Sequence, residues 1–272
     1  MSVAGVRENG KESRRLCEIG PEMDDIKVLS NTSHYRADTE GRTQRFVMGR
    51  RELLVTIADF LILAGLLFIP AGTIGWMAGW VFMTLFCGIT LLTLRMLSRN
   101  NPELLRERMS SPIQREQPLW DKVLLPAVLL LFVAWLILMP LDAVRFGWSD
   151  VPLWLQALGA IGVLLSYYGM YLTFRENAYL YPVVKLQEER GQSVVTTGPY
   201  RYVRHPMYAC ALVFFVSTAL LLGSWLGLLF SLVLIALIIL RTALEDRMLR
   251  SGLAGYAEYA NTVTYRLIPH VW

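Results

Sequence analysis

Apolar residues fall in six long runs, 53–69, 76–97, 123–144, 153–174, 206–222 and 225–240, with polar stretches of unequal length between them. A helix needs about 20 apolar residues to cross a hydrocarbon core about 30 Å thick, and each run comes close. None alternates with period two, which removes a transmembrane β-barrel. Gly223-Ser224 alone links the last two runs. The pattern therefore predicts an all-α integral membrane protein of about six transmembrane helices ending in a tight antiparallel hairpin.

The connections are short at 70–75, 145–152 and 223–224 and long at 98–122, 175–205 and 241–272. Long segments in a compact chain are usually functional, so chemistry is expected on the side that carries them. Charge names that side. Of 26 Lys and Arg residues, all but Arg145 fall in the first 52 residues, in 95–122, in 175–205 or in the tail. By the positive-inside rule, both termini are cytoplasmic in this multi-pass arrangement. Trp76, Trp80, Trp148, Trp154 and Trp225 then mark the opposite interface as ordinary aromatic anchors, with Arg145 among them.

Composition agrees with the pattern. Hydrophobic residues make up 54% of the chain and charged residues 18%, against about 25% charged in a soluble domain. Disorder of the whole chain is excluded, and three scattered cysteines exclude a disulfide scaffold. Residues 1–52 are the exception. Polar and mixed in sign, they carry ten Lys/Arg and read as a disordered cytoplasmic segment, with folding on a partner as the other reading. No apolar stretch lies near Met1, so no cleavable signal peptide is expected. Three regions follow: the 1–52 segment, four transmembrane helices over 53–174, and a cofactor-binding region, with the last hairpin, over 175–272.

The chemistry-bearing residues gather at the cytoplasmic end of that hairpin. Gly198-Pro199 signals a turn. Pro206 suits the first turn of a helix, where its missing N–H costs nothing. His205 thus falls at an N-cap, beside free backbone N–H groups that favour an anion. From the Gly223-Ser224 turn, His205 lies roughly 27 Å back and Glu245 roughly 31 Å forward at 1.5 Å per residue. The two therefore sit at similar depth. Arg241 and Glu245 are spaced i,i+4 and share a face. One small volume would hold Arg204, His205, Tyr208, Arg241, Glu245 and Asp246. Anion donors, carboxylates and aromatic faces together suit a zwitterion that carries an extra cation.

Plainer readings stand beside this one. His205 suffices as a helix cap. Arg241 with Glu245, and Asp246 with Arg250, suffice as i,i+4 ion pairs. Tyr200 and Tyr202 suffice as packing or interfacial aromatics. Asp59, about six residues into the first run, is either a functional intramembrane carboxylate or one that reaches water. Cys210 is either a reactive thiol or a small buried residue.

Val195-Thr196-Thr197-Gly198-Pro199-Tyr200 followed by Arg204-His205-Pro206-Met207-Tyr208, then Glu245-Asp246, Leu249, Gly255-Tyr256 and Tyr259, resembles the integral-membrane isoprenylcysteine carboxyl methyltransferases and the related phospholipid methyltransferases. The likeness covers about 175–272. It implies S-adenosyl-L-methionine as cofactor, held by Gln192, Val195, Gly198, Tyr200, Arg204, His205, Pro206, Tyr208, Glu245 and Asp246. It also implies methyl transfer to a lipidic or isoprenoid acceptor among membrane lipids. A carboxylate acceptor, which the prenylcysteine resemblance favours, needs no general base, and Arg241 is the candidate to orient it. An amine or thiol acceptor needs a base, for which Glu245 or His205 is nearest.

The sequence departs from the family pattern at three places. Cys210 stands for a glycine, and Asp246 for the second glutamate, which predicts a lesser role for Asp246. Gln192 stands where the prenylcysteine enzymes carry a histidine. A membrane NADPH-dependent sterol or steroid-type reductase shares an Arg-His-Pro-x-Tyr segment, but Cys210-Ala211 replaces the Gly-Glu that follows it there. A non-catalytic scaffold does not explain polar residues converging at one depth. The three histidines and three cysteines show no metal-ligand spacing, so no metal site is expected. The basic balance follows from topology and implies no nucleic-acid partner. Acceptor identity and oligomeric state stay open.

Overall fold

The computed structural model of the protein describes residues 50–108, 113–114, 117–187 and 191–272. The expectation of a disordered 1–52 segment falls almost wholly outside them.

Eight α-helices are formed among the described residues: α1 (Arg50–Ala71), α2 (Met77–Asn100), α3 (Pro102–Arg108), α4 (Leu119–Pro140), α5 (Leu153–Glu176), α6 (Pro206–Leu221), α7 (Trp225–Gly252) and α8 (Tyr256–Thr262). A π-helical turn (Leu141–Arg145) follows α4, and a 3₁₀ turn (Gly198–Arg201) precedes α6. Described residues form no strand. The architecture is all-α, and several apolar helices fit a multi-pass membrane protein.

Five helices are long and apolar enough to cross a membrane; the sixth, Pro206–Leu221, is shorter. Its ends explain its length. Pro206 occupies the first turn and can start but not extend the helix backwards. At the other end Gly223 turns the chain with φ +77°, a left-handed conformation that glycine adopts without steric cost. At 16 residues, α6 is about 24 Å long. The last helix continues well past the end of its apolar run at Leu240, as α7 extends to Gly252. That extension carries Arg241, Glu245 and Asp246 on regular helix.

The core lies between α4, α6 and α7, where Phe132, Trp135, Phe214 and Phe215 pack ring on ring. Trp135 is fully buried and donates its indole N–H to Gly227 O at 2.8 Å. The polar end of the ring is thereby satisfied, and α4 is tied to α7. Helices α5 and α6 approach through small residues. A Cβ on Gly159 would lie 2.5 Å from Leu221 N and 2.7 Å from Ser217 O, and one on Gly169 2.5 Å from Cys210 Sγ. Such close backbone approach is the usual way membrane helices gain contact. Cys210, in place of the family glycine, is accommodated by Gly169 opposite it.

The turn between α6 and α7 is pinned. Asp142, buried in the π-helical turn, accepts from Ser224 Oγ and Ser149 Oγ at 2.6 Å each, and from Leu226 N at 3.2 Å. Ser224 also caps α7, accepting from Gly227 N at 2.7 Å. The hairpin is thus fixed at its far end, which sets the register in which its two arms bring residues together at the other.

Candidate active site

At that other end α6 begins with His205 as N-cap and without a side-chain cap. Pro206 has no N–H, so the unpaired donors of the first turn are those of Met207 and Tyr208. The stretch before α6 is held by the tail: Arg204 N and His205 N donate to Tyr265 O and Arg266 O at 3.0 and 2.9 Å. His205 is therefore positioned from both sides, by its helix and by the returning chain.

A cavity of about 1090 Å³, its open mouth included, is lined by Gln192, Val195, Tyr200, Arg204, His205, Pro206, Tyr208, Arg241 and Glu245. Asn177, Tyr256, Tyr259 and Arg108 also face it. The hairpin arithmetic holds: His205 Nδ1 lies 4.0 Å from Glu245 Oε1. Tyr208 donates its hydroxyl to Glu245 Oε2 at 2.6 Å, and its ring stacks on the His205 imidazole with centroids 5.9 Å apart. Glu245 keeps 21% of its side chain exposed, so this carboxylate remains available to the cavity.

Asp246 is used differently. Its side chain is 1% exposed and does not line the cavity. It accepts from Arg204 Nε at 2.8 Å, Arg266 Nε at 3.0 Å, Arg250 Nε at 3.2 Å and the Tyr256 hydroxyl at 3.0 Å. His205 Nε2 lies 3.4 Å away. The plain i,i+4 pair with Arg250 is present, but as the outermost strut of a buried hub. Arg204 completes the hub by donating to Val263 O and Thr264 O at 2.7 and 2.8 Å. Asp246 thus locks the tail onto α6 and α7 and holds His205 in place. The Tyr256 hydroxyl is pushed up in pKa, first by burial and then by the Asp246 carboxylate beside it. It stays a proton donor at neutral pH.

Arg241 does not pair with Glu245. It donates through Nε to Asp121 Oδ1 at 2.8 Å and through Nη2 to Asp121 Oδ2 at 3.4 Å and Pro182 O at 2.7 Å. Its guanidinium lies 5.6 Å from the Tyr208 ring centroid. Asp121 is fully buried in the first turn of α4 and also accepts from Gln117 Nε2 and Val184 N. Sequence reasoning missed Asp121. The signal was available: a lone carboxylate opening an apolar run, and a lone arginine closing another, each costly to bury without a partner.

The remaining residues frame the cavity. Gln192 closes the loop before it, accepting from Gln187 N at 2.8 Å. Val195 packs against a cluster of Tyr200, Tyr256, Tyr259 and Ala260. Tyr200 is buried in the 3₁₀ turn. Its hydroxyl accepts from Asn177 Nδ2 at 2.7 Å and its carbonyl from the Tyr259 hydroxyl at 2.7 Å. Burial pushes the Tyr259 phenol up to about 12. Gly198 starts that turn with φ +57°, and a Cβ there would meet the Glu176 side chain at 2.5 Å. Gly198 therefore shapes the site from outside the cavity lining. Tyr202 points away and is 70% exposed; Asp59 lies exposed on α1.

The donor set fits an S-adenosylmethionine-type zwitterion. The uncapped first turn of α6 and His205 suit a carboxylate, while Glu245 and the tyrosine faces suit a cation or ribose hydroxyls. Described residues contain no group of three or more His, Cys, Asp or Glu able to hold a metal ion.

Residues 154–254 match the phospholipid methyltransferase family. That stretch includes the 3₁₀ turn, α6 and α7 to beyond Asp246. The cobalt-zinc-cadmium resistance protein CzcN of Cupriavidus metallidurans is 33% identical to this chain over 111 residues. The aligned part is 39% of this chain and 45% of that protein, so the likeness spans less than half of either.

Proposed function

We propose that this protein is an integral-membrane, S-adenosylmethionine-dependent methyltransferase acting on a lipidic or isoprenoid acceptor. One observation carries the reading. Within the stretch that matches phospholipid methyltransferases, Glu245, Tyr208 and His205 meet at the uncapped start of α6 around an open cavity.

The cofactor supplies an electrophilic methyl group on a sulfonium, and transfer is an in-line displacement in which positioning is the main task. His205 and the Met207 and Tyr208 backbone N–H groups receive a carboxylate. Glu245, oriented by the Tyr208 hydroxyl, receives a cationic centre or ribose hydroxyls. The tyrosine rings exclude water from one wall. Arg241 has no partner on Nη1 among the described residues, so it retains a donor to orient an acceptor carboxylate or phosphate while Asp121 fixes its plane. A carboxylate acceptor needs no base. An amine or thiol acceptor would give its proton to Glu245 or His205. Carboxylate O-methylation is the favoured reaction. The charge sorting supports a cytoplasmic cavity mouth, with 1–52 and the tail on the same side.

Calorimetry of the detergent-purified protein with S-adenosylhomocysteine and, separately, NADPH tests this. The expected result is saturable binding of the first and none of the second. Binding of NADPH alone would overturn the reading in favour of a reductase.

A further inference from the structure

A second depression lies outside the candidate active site, on the lipid-facing side of α2 and α5. It is a groove of about 1170 Å³ with its open side included. Arg95 and Arg99 stand at one end, i,i+4 on the last turns of α2. Neither has an acidic side-chain partner among the described residues. Below them the groove is apolar, floored by Leu92, Ile89 and Leu164, with the exposed Tyr168 on its rim. From Arg99 to Ile89 is ten residues, about 15 Å of helix. Half of a hydrocarbon core about 30 Å thick has that depth. The groove thus has one leaflet's dimensions, with two unneutralised guanidiniums at headgroup level.

The groove and the cavity share no lining residue. Leu97, Leu104, Leu105 and Phe174 form a buried cluster between them, in which Met96 from the groove packs on one side and Met207 from the cavity on the other. A molecule held here is therefore not placed for methyl transfer.

We propose that the α2–α5 groove is a binding site for an anionic membrane glycerophospholipid. Its phosphate is held between Arg95 and Arg99, and one acyl chain lies along Leu92, Ile89 and Leu164. Guanidinium forks match phosphate geometry. A net negative lipid is favoured over a zwitterionic one because no carboxylate at the groove receives a headgroup ammonium. The inference does not depend on the proposed function.

Native mass spectrometry of the full chain, after exchange into mixed phosphatidylglycerol and phosphatidylethanolamine micelles, tests it. Wild type should retain one phosphatidylglycerol with a preference of roughly tenfold or more. Arg95→Gln/Arg99→Gln should bring the two lipids close to parity, while Arg247→Gln, an exposed arginine on α7 that lines neither the groove nor the cavity, should leave the preference intact. Leu92→Trp keeps both charges but fills the apolar floor, and should also lose the bound lipid. Should the double variant fail to fold, Arg99→Gln alone should lower the preference. Equal retention of both lipids by wild type would overturn the proposal, as would undiminished phosphatidylglycerol retention in the arginine variants. S-adenosylhomocysteine binding by wild type, read separately, reports on the methyltransferase reading and not on this one.

Discussion

Arg241 on α7 and Asp121 on α4 form a two-point ion pair across 120 residues of sequence, with Nε 2.8 Å from Oδ1 and Nη2 3.4 Å from Oδ2. The pair fixes the guanidinium plane at the cavity wall. Lysine keeps the charge but has no plane. Arg241→Lys should therefore retain most S-adenosylhomocysteine affinity and lose turnover by about tenfold or more. Joint loss of binding and turnover would place Arg241 in the cofactor site; no change in either would leave it purely structural. Asp121→Ala leaves the guanidinium buried and unpaired, which costs about 3–5 kcal/mol, seen as a large fall in the thermal midpoint.

The two neighbouring carboxylates should separate experimentally. Glu245→Gln and His205→Ala should each weaken S-adenosylhomocysteine binding at least tenfold, about 1.4 kcal/mol, with little change in thermal midpoint for Glu245→Gln. Unchanged affinity in both would mean that this end of the hairpin only packs.

Asp246 departs from the family pattern, which predicts a mild effect of its loss; its geometry predicts the opposite. Asp246→Ala releases Arg204, Arg250 and Arg266 at once. Breaking a buried pair costs about 3–5 kcal/mol. The tail should become accessible to limited proteolysis after Gly255, and a protected tail would remove the hub from the account.

Tyr259 gives the docked tail an alkaline limit. Its phenol is pushed up to about 12 by burial, while an unfolded tyrosine titrates at about 10. Below pH 10 both states keep the proton, and the stabilisation is fully present. As pH rises from 10 towards 12 the unfolded state ionises first, and stability falls. The thermal midpoint of wild type should drop more steeply across that interval than that of Tyr259→Phe. Parallel slopes would show that another group sets the limit.

Topology can be read with reporter fusions after residues 20, 110, 190 and 265, all expected on the cytoplasmic side, and after 148, expected opposite. An outside signal at 110 would break the charge-sorting argument.

Much of this arrangement was legible in the sequence because it rests on local or periodic features. The apolar runs gave the helices. Pro206 and Gly223-Ser224 gave both ends of α6, and counting residues from the turn brought His205 beside Glu245. The partners were harder to read. Arg241 has a carboxylate at i+4 yet binds Asp121 on another helix, because Tyr208 takes Glu245 and α4 presents Asp121 at the same depth. The i,i+4 rule gives neighbours on a helix surface, not the choice among competitors in a packed interior. Asp246 read as an exposed or cofactor-facing carboxylate because Arg266 reaches it only after the tail doubles back. That return has no periodic signature.

The brevity of α6 has a consequence for where reactants meet. An arm of about 24 Å falls about 6 Å short of a hydrocarbon core about 30 Å thick. In the topology that the charge sorting proposes, the Gly223 end, tied down by Asp142 and Ser224, sits near one interface and the missing length falls at the His205 end. The cavity floor would then lie beneath the plane of the neighbouring headgroups, as a dimple in one leaflet. On the proposed function, such a dimple would admit a water-soluble donor from the aqueous face and a lipidic acceptor from the side, without lifting its tail out of the bilayer.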